Sequence, residues 1–198
     1  SRVSQHLGWA QREVLPMHAD PDWLSDWKFT QKWGFEPPDI LIGLLLEMST
    51  KQPRAVEIGV FKAETSSALL RHFPDLTMLL VDPYHFADDT GLSVSLTQEV
   101  FDAGIQNTQA FRDRATLVLQ RSVEVAAWLP QESIDLVYID GDHSYNSVIS
   151  DIEAWWPIVR PGGVLAGHDY IILHVDVIRA VHYFATRLGL RLQLAPEV

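Results

Sequence analysis

Short, almost wholly apolar segments recur along this chain, each followed by a stretch with helical periodicity, and that rhythm restricts the fold more than any other feature. The segments are 55–58 (AVEI), 77–81 (TMLLV), 116–119 (TLVL), 134–139 (IDLVYI) and 164–167 (VLAG). A strand with one face in water alternates apolar and polar residues, whereas a strand covered on both faces is apolar nearly throughout. Strand-helix alternation of this kind predicts an α/β fold: a doubly wound, mostly parallel sheet in a three-layer sandwich. Ligands in such folds bind beyond the carboxyl ends of the strands, where the strand order switches.

The helices follow from spacing. Asp39 caps an expected helix with Leu41, Leu44, Leu45 and Met48 on one stripe, and helices are expected over 64–73, 96–111 and 123–129. After the fourth strand, Tyr145, Val148, Ile149, Ile152 and Trp156 form an apolar stripe with Asn146, Ser150 and Asp151 toward water. Pro161-Gly162-Gly163 reads as the turn into the fifth strand. Val177, Val181, Phe184 and Leu188 mark the last helix, which leads to a final strand at 190–194.

The 198 residues suit one cored domain, expected over 39–198. Residues 1–38 carry Trp9, Trp23, Trp27 and Trp33 and end in a Pro37-Pro38 breaker, so they are expected to form an appendage, either a lid or an arm for a homo-oligomer. Residues 86–95 read as a loop.

A net charge of −11 disfavours a nucleic-acid partner, since phosphate binding rests on clustered Lys and Arg. No cysteine is present, which excludes disulfides and thiolate chemistry. No apolar run approaches a membrane span and no secretory leader pattern opens the chain, so a soluble, cytoplasmic protein with a small-molecule partner is expected.

The turn after the first strand reads VEIGVFKAETS and contains only one glycine, Gly59. A dinucleotide site uses three, so that backbone amides can cradle a pyrophosphate. Gly59 with acids at Glu57 and Asp82 suits a ligand that lacks phosphates and carries positive charge. Asp82 follows Gly59 by 23 residues, near the spacing of roughly 20 expected for a ribose-binding carboxylate. S-adenosylmethionine, with its adenosine, sulfonium and amino-acid tail, fits that description.

Together VEIGVFKAETS, LLVDPY, YIDGDHSY, WWPIVRPGGVLAGHDY and VIRAVHYF resemble the class I S-adenosylmethionine-dependent methyltransferases, which have a Rossmann-like fold, and most closely the small group with DGDHSY and GHDY signatures. The resemblance spans about residues 54–184. It implies that Glu57 and Gly59 contact the amino-acid end of the cofactor, that Asp82 holds the ribose hydroxyls, and that Arg121 and Ser122 line the adenine. Ala63 stands where the family usually has a glycine beside the methionine moiety. Asp140 would face the sulfonium and the acceptor.

The acceptor side is the pair of strand ends carrying Asp140, Asp142 and His143 on one and His168 and Asp169 on the other. Methyl transfer needs nucleophile and methyl held in line and a proton removed from the acceptor. The arrangement of Asp140, His168 and Asp169 is similar to that of metal-dependent O-methyltransferases of the catechol and macrolide-sugar types, which use three oxygen ligands. With His168 in the set, an imidazole-tolerant ion such as Mn²⁺ or Zn²⁺ suits it better than Mg²⁺. Two readings stand side by side: a divalent metal site, or a metal-free site with His168 or His143 as general base. Asp142 reads equally as turn chemistry, and Tyr170 as packing or pocket lining. His174 and His182 read as surface or structural.

The activity expected is methyl transfer from S-adenosylmethionine to an oxygen of a sugar or secondary metabolite. A catalytically silent methyltransferase-fold scaffold is the alternative, disfavoured by the acids and histidines on both acceptor-facing strand ends.

Overall fold

The structure, a computed structural model, describes residues 37–48, 50–84 and 94–194. All but the last two positions of the expected appendage lie outside the described residues, as do 86–93 of the expected loop and His85.

Pro37 and Pro38 open the first helix rather than blocking it: α1 is Pro37–Met48, with Asp39 inside the first turn instead of at the cap. Proline is tolerated there because first-turn N–H groups have no partner within the helix, and an acid meets the positive end of the helix dipole. Then follow β1 (Arg54–Ile58), α2 (Glu64–His72), β2 (Thr77–Val81), α3 (Val94–Thr108), β3 (Ala115–Val118), α4 (Ser122–Ala126), β4 (Ile134–Ile139), α5 (Tyr145–Trp155), β5 (Val159–Gly167) and α6 (Val175–Leu188). Among the described residues the strands form one sheet in the order β3-β2-β1-β4-β5, with every pairing parallel. The doubly wound sandwich expected from the sequence is the fold. Strand order reverses between β1 and β4, so the crevice for a ligand lies beyond Ile58 and Ile139.

Each sheet face has its own core. Val56, Ile58, Val137 and Ile139 pack with Val125 of α4, Trp155 of α5 and Phe184 of α6. Ala55, Met78, Leu80, Leu136 and Tyr138 pack on the other face with Leu41 of α1, Leu70 of α2 and Val100 of α3. Successive strand residues thus alternate between two dry faces, which is why the strands are apolar throughout. No helix among the described residues is long and apolar enough to cross a membrane.

Below the sheet, at the amino ends of the strands, Asp135 of β4 is nearly inaccessible and fully paired. Its Oδ2 accepts from the Arg54 backbone N–H at 2.7 Å, and its Oδ1 accepts from the Thr50 hydroxyl at 3.3 Å and from the Arg160 guanidinium. Arg160 also donates to Thr50 Oγ1 at 2.6 Å. This buried polar clamp ties the chain before β1 to β4 and β5, at the end opposite the ligand crevice.

Several local expectations are corrected. Pro161-Gly162-Gly163 is not a turn before β5 but a bulge inside it, since Ile134 pairs with Val159 and Leu136 already with Val164. A Cβ on Gly163 would lie 2.7 Å from the Asp135 carbonyl oxygen, so only glycine lets β5 pass there. The stripe of α5 ends one residue early. Trp155 is fully buried while Trp156 is 37% exposed, because the helix tightens into a 3-10 turn at Trp156–Ile158 around Pro157 and the phase rotates. Asp151 faces not water but α4, where the Ser122 hydroxyl donates to it. Leu188, at the last turn of α6, is largely exposed.

No strand forms at 190–194. The chain leaves α6 through Gly189 in the left-handed conformation (φ 64°) and runs on without regular structure. Leu190, Leu192 and Leu194 alternate with Arg191 and Gln193, a strand-like period. Here, however, they line a cavity and stay partly exposed rather than joining the ladder.

Candidate functional site

The turn after β1 is shaped by one close approach. Gly59 (φ 81°) donates its N–H to the Val81 carbonyl at 3.0 Å, and a Cβ on it would stand 2.1 Å from the Asp140 carbonyl oxygen. Phe61 (φ 50°) and Ala63 (φ 56°) adopt the left-handed region as non-glycine residues, a combination that costs roughly 1–2 kcal/mol each and persists only where neighbours hold it. Ala63 occupies the N-cap of α2 and is buried, so the expected glycine-like position is real in its backbone even though the residue is alanine.

Asp82 is what holds the turn. Its Oδ2 accepts from the Val60 and Phe61 N–H groups at 2.9 and 3.0 Å, and its Oδ1 accepts from the Tyr84 N–H at 2.7 Å. Tyr84 was not singled out in the sequence. Its hydroxyl donates to the Phe61 carbonyl at 2.7 Å and lies 2.6 Å from where a Cβ on Gly104 would be. Gly104, inside α3, is therefore the residue that admits Tyr84. The signal was present as an Asp-Pro-Tyr strand end and an unexplained helix glycine.

Glu57, at 3% exposure, is not the surface acid that a helix start alone would suggest. It accepts from the Ser66 hydroxyl of α2. Burial pushes its carboxyl up to about 8, offset in part by that hydrogen bond and reinforced by the nearby Asp140 and Asp82. Arg121 holds the N-cap position of α4, without a side-chain cap bond. Ser122 is the first helical residue, with its hydroxyl committed to Asp151.

The acid and histidine residues at the ends of β4 and β5 come together as the topology requires. The Asp140 N–H donates to Ile58 and the His168 N–H to Ile139, so each strand end is pinned to its neighbour. His168 Nδ1 lies 3.5 Å from Asp140 Oδ1 and 3.2 Å from Asp169 Oδ2. The Asp140 carboxylate, aided by Asp169 and opposed by burial, holds the His168 imidazole up at about 9. Burial works to raise the Asp169 carboxyl, but His168 and His143 outweigh it and keep it below its ordinary value. The Tyr138 hydroxyl donates to Asp140 Oδ2 at 3.1 Å.

His143 Nε2 lies 2.7 Å from Asp169 Oδ2. The Asp142 carboxylate accepts from the Ser144 N–H at 2.7 Å, and the Ser144 hydroxyl first, then against the effect of burial this N–H, hold its pKa below the ordinary value. Asp142 therefore performs turn chemistry ahead of α5, whose N-cap is Ser144. His174, read as surface or structural in the sequence, joins the cluster. Its ring centroid is 4.1 Å from that of His143, and its Nε2 is 4.0 Å from Asp169 Oδ1. Asp169 itself has φ 53°, and a turn through Ile171 carries His174 back over it. His174 stands four residues beyond HDY, and no local signal in the sequence marks it as part of the cluster.

These groups form the polar end of a cavity of about 470 Å³, to which Asp140, His143, His168, Asp169 and Tyr170 contribute. Its other walls are mainly apolar, with Ile40, Leu44, Leu165, Val181, Phe184 and Leu192 beside Arg191 and Gln193. The Tyr170 hydroxyl bonds His182 of α6, and burial pushes it up to about 12. Glu57, Gly59, Ala63, Asp82, Arg121 and Ser122 are not part of that cavity's lining. The turn after β1 and the acid-histidine residues meet where Gly59 packs on the Asp140 backbone.

A parallel sheet with a single-glycine turn after its first strand and an acid-histidine pair of strand ends across the switch point defines a class of α/β ligand-binding domains. Residues 56–170, more than half of the chain, match the methyltransferase domain family, and the chain belongs to it. An uncharacterized protein of Acanthamoeba polyphaga mimivirus is 26% identical over 115 residues, covering 58% of this chain and 50% of its own, so the chain spans half the length of that relative. In fold the chain is similar to the O-methyltransferase TomG of Streptomyces achromogenes, solved in complex with SAM (TM-score 0.57, 15% identity, 79% of this chain and 70% of that one). It is also similar to spermidine synthase from Thermotoga maritima (TM-score 0.53, 14% identity, 75% and 50%). At such identities the likeness is one of fold, and fold leaves the reaction to the site.

Proposed function

We propose that this domain transfers a methyl group from S-adenosylmethionine to an oxygen of a small polar acceptor. The observation that supports the reading, beside family membership, is the packing of Gly59 onto the Asp140 backbone, which sets the turn after β1 directly beside the acid-histidine cluster.

The donor-side residues fit the cofactor. Asp82 Oδ2 is saturated by two amides, whereas among the described residues Oδ1 receives the Tyr84 N–H alone, which leaves a lone pair for a ribose hydroxyl. Glu57, shielded from water behind the turn, offers a carboxylate whose ionisation a cationic ligand would favour. S-adenosylmethionine supplies an electrophilic methyl group on a sulfonium. The chain supplies orientation, exclusion of water by the apolar cavity walls, and a place for the acceptor's proton.

Two routes serve that last task. His143, oriented through Nε2 by Asp169, would use Nδ1, which no hydrogen bond among the described residues occupies, to take a proton. The donor atoms of Asp140, His168 and Asp169 lie within 4.8 Å of one another and fit a divalent ion that accepts imidazole, which would lower the pKa of the acceptor hydroxyl. The cavity size suits a sugar-sized or secondary-metabolite acceptor. Calorimetry with S-adenosylhomocysteine and, separately, with NAD tests the reading. Binding of S-adenosylhomocysteine supports it, and binding of NAD alone overturns it.

A further inference from the structure

The Asp140–His168–Asp169 set leaves two histidines of the cluster unused. His143 and His174 come from different segments, the loop before α5 and the turn before α6, yet both direct a ring nitrogen at the same carboxylate. Nε2 of His143 is 2.7 Å from Asp169 Oδ2, and Nε2 of His174 is 4.0 Å from Asp169 Oδ1. One hydrogen bond accounts for His143. It does not account for His174, whose nitrogen is beyond hydrogen-bond reach of the carboxylate while its ring lies against the other imidazole at 4.1 Å. Donor atoms on one tetrahedral transition-metal ion lie roughly 3.3 Å apart, given bonds of about 2.0–2.2 Å. The observed 2.7 and 4.0 Å bracket that spacing, and the candidate ligand atoms of the three residues all lie within 4.8 Å of one another.

We propose that His143, Asp169 and His174 form a second divalent-cation site, which shares the Asp169 carboxylate with the Asp140–His168–Asp169 set. The first set then uses the His168 imidazole and the second those of His143 and His174, with Asp169 common to both: its Oδ2 lies 3.2 Å from His168 Nδ1 and 2.7 Å from His143 Nε2. Two imidazoles and one carboxylate select an ion of the Zn²⁺, Co²⁺ or Fe²⁺ kind over Mg²⁺ or Ca²⁺, which prefer oxygen. Three protein ligands leave a coordination position open, as in catalytic rather than structural zinc sites, and His143 and Asp169 both border the cavity. The backbone supports the arrangement. Asp169 is held in the left-handed region, which puts its carboxylate between the two strand ends, and the turn that follows returns His174 to it. Occupancy takes His143 out of the base role, so the ion and the metal-free base are mutually exclusive uses of that residue.

Co²⁺ is the probe, because its visible absorption reports coordination and can be counted per chain. The full chain, stripped with chelator and titrated with Co²⁺ alone, is expected to bind two equivalents. His174→Ala is expected to bind one. The double variant Asp140→Asn/His168→Ala, which keeps His143, Asp169 and His174, is also expected to bind one. Circular dichroism confirms that each is folded. Equal stoichiometry in wild type and His174→Ala, no binding by the folded double variant, or no binding by the folded wild type overturns the second site. None of these readouts involves methyl transfer, so S-adenosylhomocysteine binding still reports separately on the proposed activity.

Discussion

A Cβ placed on Gly59 would lie 2.1 Å from the carbonyl oxygen of Asp140 and 2.6 Å from Cα of Gly141. The two turns that leave β1 and β4 are thus in backbone contact across the switch point of the sheet. Glycine here serves the fold before it serves any ligand: the chain of β4 occupies the space where a side chain would be. The same contact fixes where the Asp140 carboxylate starts relative to the turn after β1.

Gly59→Ala should therefore be costly on two counts, a left-handed backbone at φ 81° and a methyl group inside another backbone's contact radius. Neither neighbour is a flexible side-chain end, so strands must move. A loss of more than about 2 kcal/mol is expected in urea unfolding. A variant within about 0.5 kcal/mol of wild type would mean that the two turns are not in contact in solution.

Glu57 gives a pH signature. Its carboxyl is pushed up to about 8 in the folded chain, against an ordinary value of 4.5. Between those values the folded state binds the proton and the unfolded state does not, so unfolding releases it and stability falls as pH rises. The stabilising effect of the protonated form is complete below about 4.5 and gone above about 8. Glu57→Gln, which keeps the shape and a hydrogen-bonding group for Ser66, should flatten the melting-temperature profile across that window. A profile as steep as wild type would assign the slope to other groups.

How much of this was legible in the sequence depended on whether the signal was local. Strand identity was, because a strand buried on both faces must be apolar at successive residues, and 77–81 and 134–139 could be little else. The juxtaposition of Asp140 with His168 and Asp169 followed from one crossover between adjacent parallel strands. What was not legible involved partners distant in sequence. Nothing beside Asp151 announces that Ser122 faces it, and nothing at His174 announces that the turn through Ile171 folds it over Asp169. The bulge at Gly162-Gly163 failed differently, since a Pro-Gly-Gly run is better known as a turn, and only the register with β4 shows that the ladder resumes beyond it. At 190–194 the alternating leucines met the period of a strand, but period alone does not supply a partner edge.

Asp135 is a buried carboxylate whose worth lies in its partners. Asp135→Ala would leave the Arg54 N–H without its side-chain acceptor and the Arg160 guanidinium without its anion, far from the crevice. Breaking a buried pair by removing one partner costs roughly 3–5 kcal/mol, and that loss is expected in chemical denaturation. Cofactor-product affinity measured on the remaining folded protein should be unchanged, because the clamp sits at the amino ends of the strands. A variant that stays stable but loses affinity would place Asp135 in the wrong half of the molecule.

Asp82 separates holding the turn from holding a ligand. The side chain satisfies three backbone N–H groups, those of Val60, Phe61 and Tyr84, and among the described residues has one lone pair to spare on Oδ1. Asp82→Ala removes both functions and is expected to lose stability as well as roughly 1–3 kcal/mol of S-adenosylhomocysteine affinity, the usual loss when a polar partner is left unpaired. Asp82→Asn keeps one carbonyl oxygen for the amides of Val60 and Phe61, but turns an NH₂ toward the Tyr84 N–H and the ribose position. It should therefore retain more of the stability than of the affinity. Calorimetry and urea unfolding on the two variants give the ratio. If both variants bind S-adenosylhomocysteine as wild type does, Asp82 holds only the turn and the ribose hydroxyls are bound elsewhere.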